Sequence, residues 1–279
     1  MKKSFIKIVA IAAMAQLIAE VIRHGVPLHQ NPPAQSYLRQ SQFITNLAFN
    51  DAAIFKGRGE EMAQLKSALF AGRAAAVVAG QGGVGKTALA EAYAREHRTD
   101  YRGVWRVNAE TDAQAGLADL AVAFDPAAAQ APIPQAAAFA LQEISKRGGR
   151  PFLLIYDNVT TPDAIARYRP KDGAHVLITS RFQDWTGHAD KVDLDVLPRA
   201  DAAAVLIARA GRGTQAEAEA LAAILGDLPL ALAHAGAALA REKLTSFAAY
   251  GAAIEQRMRE APPGEYPIAV RATGLPRFW

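Results

Sequence analysis

Short apolar runs, each followed by a polar or glycine-rich turn and then by a segment with helical spacing, recur through the middle of the chain. Residues 74–79 (AAAVVA), 103–107 (GVWRV), 151–156 (PFLLIY) and 174–179 (AHVLIT) are such runs, and 191–196 (KVDLDV) is a weaker one. Apolar runs with little alternation predict parallel strands covered on both faces. Met62, Leu65 and Leu69 mark a short helix before the first of them, residues 88–96 a second helix, and residues 114–124 and 135–146 two more, with a proline-bearing surface loop at 126–134. Strands alternating with helices predict an α/β fold of three layers around a central parallel sheet, with ligands at the carboxyl ends of the strands.

From Pro198 onward the pattern is helical only. Residues 201–209, 215–225 and 230–241 predict three helices punctuated by Gly211, Gly213 and Gly226, and Thr245-Ser246 would cap one more before Pro262-Pro263. The expected organisation is an N-terminal helix and connector over 1–50, a nucleotide-binding domain over 51–197, a small all-helical domain over 198–260 and a tail over 261–279. No repeat of solenoid type is present.

At the N-terminus Lys2, Lys3 and Lys7 precede or enter an apolar stretch reaching Ile22, and Ala13-Met14-Ala15 has the form of a signal-peptidase site. Gln16 and Glu20 carry a helical pattern past that point, which favours a cytoplasmic amphipathic helix over a signal or membrane-surface segment. Pro27, Pro32 and Pro33 end it.

Composition changes the picture little. Of 279 residues, 51% are apolar and 21% charged, as in folded soluble proteins. Thirty-one basic against 27 acidic residues give a net charge of +4. No long basic stripe interleaved with aromatics accompanies it, so no nucleic-acid partner is expected. The absence of cysteine excludes disulfides, thiol catalysis and thiolate metal sites.

The candidate chemistry lies after the first strong strand. Residues Gly80, Gln81, Gly82, Gly83, Val84, Gly85, Lys86 and Thr87 complete the phosphate-loop pattern G-x-x-x-x-G-K-[ST], and Ala88 opens the helix that follows. Successive backbone N–H groups of such a turn, with the unpaired N–H groups of the next helix, cradle phosphates. Lys86 would add positive charge at the terminal phosphates, and the Thr87 hydroxyl would ligate Mg²⁺.

Asp157 ends an apolar strand, the place of a carboxylate that holds Mg²⁺ directly or through water, a role the upstream phosphate loop favours over that of capping a turn. Asn158, a neutral amide, can orient a water but cannot take its proton, which predicts slow hydrolysis. Arg181, at the end of the next strand, is placed to sense a terminal phosphate or to form an ion pair at the sheet edge. Trp105 reads as core, and His188 and His234 have no metal-ligating companions.

In order along the chain, Phe55-Lys56-Gly57-Arg58, residues 80–90 (GQGGVGKTALA), 103–110 (GVWRVNAE), 153–159 (LLIYDNV), 176–181 (VLITSR) and 226–232 (GDLPLAL) resemble the motifs of the NB-ARC branch of the signal-transduction ATPases with numerous domains. The resemblance covers residues 51–257. It implies that Phe55, Gly57 and Arg58 pack by the adenine and ribose, that Pro229 approaches the base from the helical domain, and that the chain binds ADP at rest and ATP when active. It also implies Mg²⁺ as cofactor and a homo-oligomer, or an intact related ATPase, as partner. Gly59 stands where the family usually has Glu. Residues 266–273 resemble the start of the family's winged-helix domain and the chain ends at Trp279, so the resemblance reads it as truncated before the winged-helix and sensor domains. The function implied is a cytoplasmic regulatory ATPase module; the alternative is a non-switching interaction or inhibitor protein with a structural nucleotide.

Overall fold

The computed structural model describes residues 43–49, 57–146, 149–242 and 245–260. Their elements run β1 (Ile44–Thr45), α1 (Gly59–Phe70), β2 (Ala75–Ala79), α2 (Lys86–Glu96), β3 (Gly103–Asn108), α3 (Ala113–Phe124), α4 (Ile133–Ile144), β4 (Phe152–Val159), α5 (Pro162–Ile165), β5 (Ala174–Ser180), β6 (Asp190–Asp193), α6 (Arg199–Ala210), α7 (Gln215–Ile224), α8 (Pro229–Arg241) and α9 (Phe247–Glu260). The readings for residues 1–42 and for Phe55 and Lys56 fall outside the described residues, as does the tail from 261.

The six strands form one sheet in the order β1-β3-β4-β5-β2-β6, parallel throughout. Strand period explains its two covered faces. Phe152, Leu154 and Tyr156 of β4 join Val77, Val107 and Ile178 under α3 and α4, whereas Leu153 and Ile155 join Ala76, Val78 and Leu177 under α1 and α2. All five residues of β2 are buried, which is why its sequence shows no alternation. Ala136, Ala137 and Ala140 on α4 present methyl groups to the sheet-side core, and the small side chains let α3 and α4 approach closely.

Helix ends follow their local chemistry. Asp112 accepts from the N–H groups of Gln114 and Ala115 at 2.9 and 3.1 Å to start α3, and Thr214 with Glu217 forms a reciprocal capping box on α7. Ser246 accepts from Ala249 N–H at 3.1 Å, which is the cap expected for the last helix. The 126–134 segment differs from a plain loop: Asp125 caps a 3₁₀ turn over Pro126–Gln130.

Helices α6 to α9 bury a cluster of their own, built on Leu206, Leu221, Leu232, Leu239, Phe247 and Ile254. On the sheet, a polar chain crosses the otherwise apolar layer beneath α1 and α2. The Tyr93 and Tyr101 hydroxyls lie 3.1 Å apart, and Tyr101 Oη lies 3.1 Å from His175 Nδ1. Burial pushes the Tyr93 hydroxyl up to about 12 and moves His175 below its usual value. No helix among the described residues is long and apolar enough to cross a membrane.

Candidate functional site

The phosphate-loop sequence leaves the carboxyl end of β2, where Gly80 N–H donates to the Ser180 carbonyl at 3.3 Å and Leu194 N–H to the Ala79 carbonyl at 2.8 Å. A Cβ at Gly80 would lie 2.4 Å from the Leu194 carbonyl oxygen, so the close approach of β6 requires glycine. Gly85, at φ +96, turns the chain into α2 and offers no side-chain cap. The first N–H groups of α2 therefore remain unspent at its positive end.

Lys86 is folded back over the loop, donating from Nζ to the Gly80 and Gln81 carbonyls at 2.8 and 2.7 Å. Burial, and then the neighbouring Arg181 charge, lower its pKa, while Asp157 opposes the shift. Arg181 itself is exposed at the end of β5, with its guanidinium carbon 3.6 Å from the position a Cβ on Gly82 would take.

Two hydroxyls converge on one carboxylate oxygen. Thr87 Oγ1 donates to Asp157 Oδ1 at 2.8 Å and Thr179 Oγ1 donates to the same atom at 2.6 Å. Asp157 Oδ2 makes no hydrogen bond among the described residues. Parallel pairing puts Asp157 opposite Asn108 on β3, and the β4–β5 register then shifts between Tyr156 and Val159. Asn158 sits in that irregularity at φ +65, a conformation that Asn tolerates better than most side chains. Its N–H donates to Thr179 Oγ1 at 2.9 Å, and its Nδ2 donates to Glu110 Oε2.

The helical segment completes the surround. Pro229 stands 3.8 Å from the position of a Cβ on Gly85, and Leu230 N–H donates to the Gly83 carbonyl at 3.2 Å. A cleft of about 450 Å³ opens between these parts. Gly82, Gly83, Val84, Gly85, Lys86, Thr87 and Ala88 line it with Arg58, Asn158, Arg181 and Pro229. Arg58 is 6% exposed and is held by Glu61 Oε1 at 2.8 Å and the Asp195 carbonyl at 2.5 Å.

Not every expected residue reaches the cleft. Gly80 and Gln81 contribute carbonyls to Lys86, and Asp157 lies behind Thr87. Gly57 packs against Asp201 of α6. Conversely, Leu197, Val205, Arg209, Leu230 and Ala233 line the cleft without having been expected there. Val205, Leu230 and Ala233 come from helices whose periodic apolar positions read only as core, and Leu197 from the segment just before α6. Thr179 was legible in principle, because it stands beside Ser180-Arg181 at a strand end.

Thr87 and Asp157 form an all-oxygen donor pair of the kind a hard divalent cation takes, with the remaining ligands left to phosphate and water. Among the described residues no cluster of three or more His, Asp or Glu offers a separate metal cage.

No family model matches the chain, and no curated protein matches it. Among solved structures it is similar to a Walker-type ATPase of Pyrococcus abyssi, at 13% identity over 80% of this chain and 77% of that one, with a TM-score of 0.52. It is also similar to a signal transduction ATPase with numerous domains (STAND) protein with a tetratricopeptide repeat sensor from Pyrococcus horikoshii, at 20% identity and TM-score 0.45 over 70% of this chain. This chain spans 30% of the length of that protein. PCH-2 of C. elegans matches at 12% identity and TM-score 0.36 over 77% of this chain and 64% of that one. Of these three, the P. abyssi protein superposes closely enough to bear on architecture, and at that identity it bears on the fold alone. The phosphate-loop motif therefore stands in the α/β three-layer setting its chemistry requires, at the carboxyl edge of a parallel sheet flanked by helices.

Proposed function

We propose that the chain is an ATP- and ADP-binding regulatory module with slow Mg²⁺-dependent hydrolysis, in which the bound nucleotide biases the helical segment relative to the sheet. The observation that carries this reading is the joint construction of the cleft. Phosphate-loop N–H groups and Lys86 line one part of it, while Leu197, Val205, Pro229 and Ala233 supply apolar surface suited to a base. The cleft volume of about 450 Å³ lies in the range of small-molecule sites.

Lys86 would exchange its two loop carbonyls for phosphate oxygens, and Arg181 would meet the terminal phosphate from β5. Thr87 and Asp157 would hold Mg²⁺, which when bound neutralises charge on the phosphate oxygens. Asn158 would orient the attacking water without taking its proton, which keeps turnover slow. Loss of the terminal phosphate removes its contact with Arg181 and changes the balance between two arrangements of the helical segment. Self-association, or association with a related ATPase, would then follow the nucleotide state.

Mass analysis of nucleotide that co-purifies with the chain tests the reading. The chain should carry adenine nucleotide and its Lys86→Ala variant should not; equal absence from both removes the basis of the proposal. Light scattering with ADP and with a non-hydrolysable ATP analogue should give different assembly states.

A further inference from the structure

A second cleft lies at the other end of the sheet. Where the strands begin, Phe70, Arg73, Lys146, Arg150, Arg169 and Lys171 line a cleft of about 470 Å³ floored by the amino ends of β2, β4 and β5. The five residues of β2 separate this cleft from the phosphate loop by about 16 Å of strand.

The charges in it are unevenly matched. Five cations line the cleft with one carboxylate, Asp172. Arg73 lies 3.7 Å from Asp190, and Lys146 pairs with Glu143 at 2.5 Å. Arg150 donates to the Thr99 carbonyl at 2.6 Å and Arg169 to the His188 carbonyl at 2.9 Å, bonds that leave their charge intact. Neither these two nor Lys171 has an ion-pair partner among the described residues. Unpaired cations in a concavity with low-dielectric walls concentrate positive potential there.

The cleft also holds an aromatic face. Phe70 is 47% exposed although it closes an otherwise well-packed helix. His175 meets it edge to face at 4.6 Å and 89° and Tyr101 packs on it at 5.8 Å and 50°, two contacts that hold the ring while the residue stays half exposed. A fixed aromatic ring beside unpaired cations is the pairing used to bind single strands, the ring stacking a base and the cations tracking phosphates. A duplex keeps its bases stacked on one another and offers no base face to Phe70. We infer that this cleft binds a single-stranded nucleic acid segment, with phosphates along Arg150, Arg169 and Lys171 and one base on Phe70.

The inference is tested with the full chain by fluorescence anisotropy of a labelled oligothymidylate of about 12 nucleotides, titrated over a series of salt concentrations. Binding should weaken as salt rises. Arg150→Glu together with Lys171→Glu should reduce affinity at least about tenfold and lower the salt slope by about 1.4, the value for two phosphate contacts on a single strand. Phe70→Ala should weaken binding about tenfold with the slope unchanged, and Phe70→Trp should restore it. Lys86→Ala should bind the oligonucleotide as the parent does, and circular dichroism checks that each variant is folded. No binding by the parent chain, unchanged binding by the double charge reversal, or equal affinity for a duplex would each overturn the inference. Displacement by tripolyphosphate as effective as by the oligonucleotide would also overturn it, by reducing the cleft to a site for free phosphates.

Discussion

Leu230 donates its backbone N–H to the carbonyl of Gly83 at 3.2 Å, so the first turn of α8 is bonded directly to the glycine-rich loop. Pro229 precedes it, and proline at the first helical position both presets the helix and brings no N–H of its own to this crowded place. A bond between two main chains cannot be deleted by truncating a side chain, but its setting can be changed. Leu230→Pro removes the donor and should loosen the helical segment from the loop. Limited proteolysis should then cut faster between β6 and α6 than in the parent chain, and an unchanged cleavage rate would deny this bond a part in the closure.

Asp157→Asn keeps the shape of the side chain and can keep accepting from Thr87 and Thr179 through its oxygen, but it loses the charge. The expected outcome is a folded variant whose ADP affinity no longer rises on adding Mg²⁺, with metal-free affinity close to that of the parent. Calorimetric titration with and without Mg²⁺ separates the two. A preserved Mg²⁺ enhancement would assign Asp157 to holding the Thr87 and Thr179 hydroxyls alone.

Arg181 is exposed, lines the cleft and makes no ion pair among the described residues. Arg181→Ala should therefore cost little stability. It should lower affinity for a non-hydrolysable ATP analogue by about tenfold, in keeping with a lost charge-assisted bond, while leaving ADP affinity nearly unchanged. Equal losses for both nucleotides would place the guanidinium at a phosphate they share.

His175 titrates with a defined sign. Its pKa lies below the ordinary 6.5 because burial disfavours the charged ring. The folded chain then binds fewer protons than the unfolded chain just below pH 6.5, so this residue's contribution to stability falls as pH drops from 6.5 to the lowered folded value. Above 6.5 it contributes no slope. Urea unfolding across that window should show the dependence in the parent chain and a flatter profile in His175→Phe.

Leu232 is fully buried in the helical cluster. Leu232→Ala should destabilise this cluster by about 2–5 kcal/mol through lost burial and the cavity left behind. Hydrogen exchange should locate the loss in α6 to α9 and leave β2, β4 and β5 protected. Uniform loss across the sheet would mean that the helices and the sheet unfold as one cooperative unit.

The strands were legible because burial on both faces writes itself as an unbroken apolar run, and β2 and β4 show this plainly. Helix α9 was legible from its cap, Ser246. The two-residue strand β1 was not, since a pairing as short as Ile44 and Thr45 on β3 leaves no period to read. At the site, Thr87, Asp157 and Pro229 were named from motifs, and the structure sets Thr87 Oγ1 2.8 Å from Asp157 and Pro229 beside Gly85. The motifs could not foretell Arg209, whose place in the cleft depends on how α6 crosses α8 at Gly236. The basic cleft was hidden for the same reason. Arg73, Arg150 and Lys171 are far apart in the chain, and only the shared starting edge of a parallel sheet assembles them.

The Tyr93–Tyr101–His175 chain gives α2 a mechanical character. This helix begins at Lys86, and Tyr93, two turns further on, is tied through Tyr101 to His175 on β5, beside the ring of Phe70. Hydrogen bonds near 3 Å have little slack. A helix resists compression along its axis because each turn is bonded to the next. Sliding of α2 at the glycine-rich loop would load this hydroxyl chain, so the second half of the helix is tied to β5 rather than free to move as a piston.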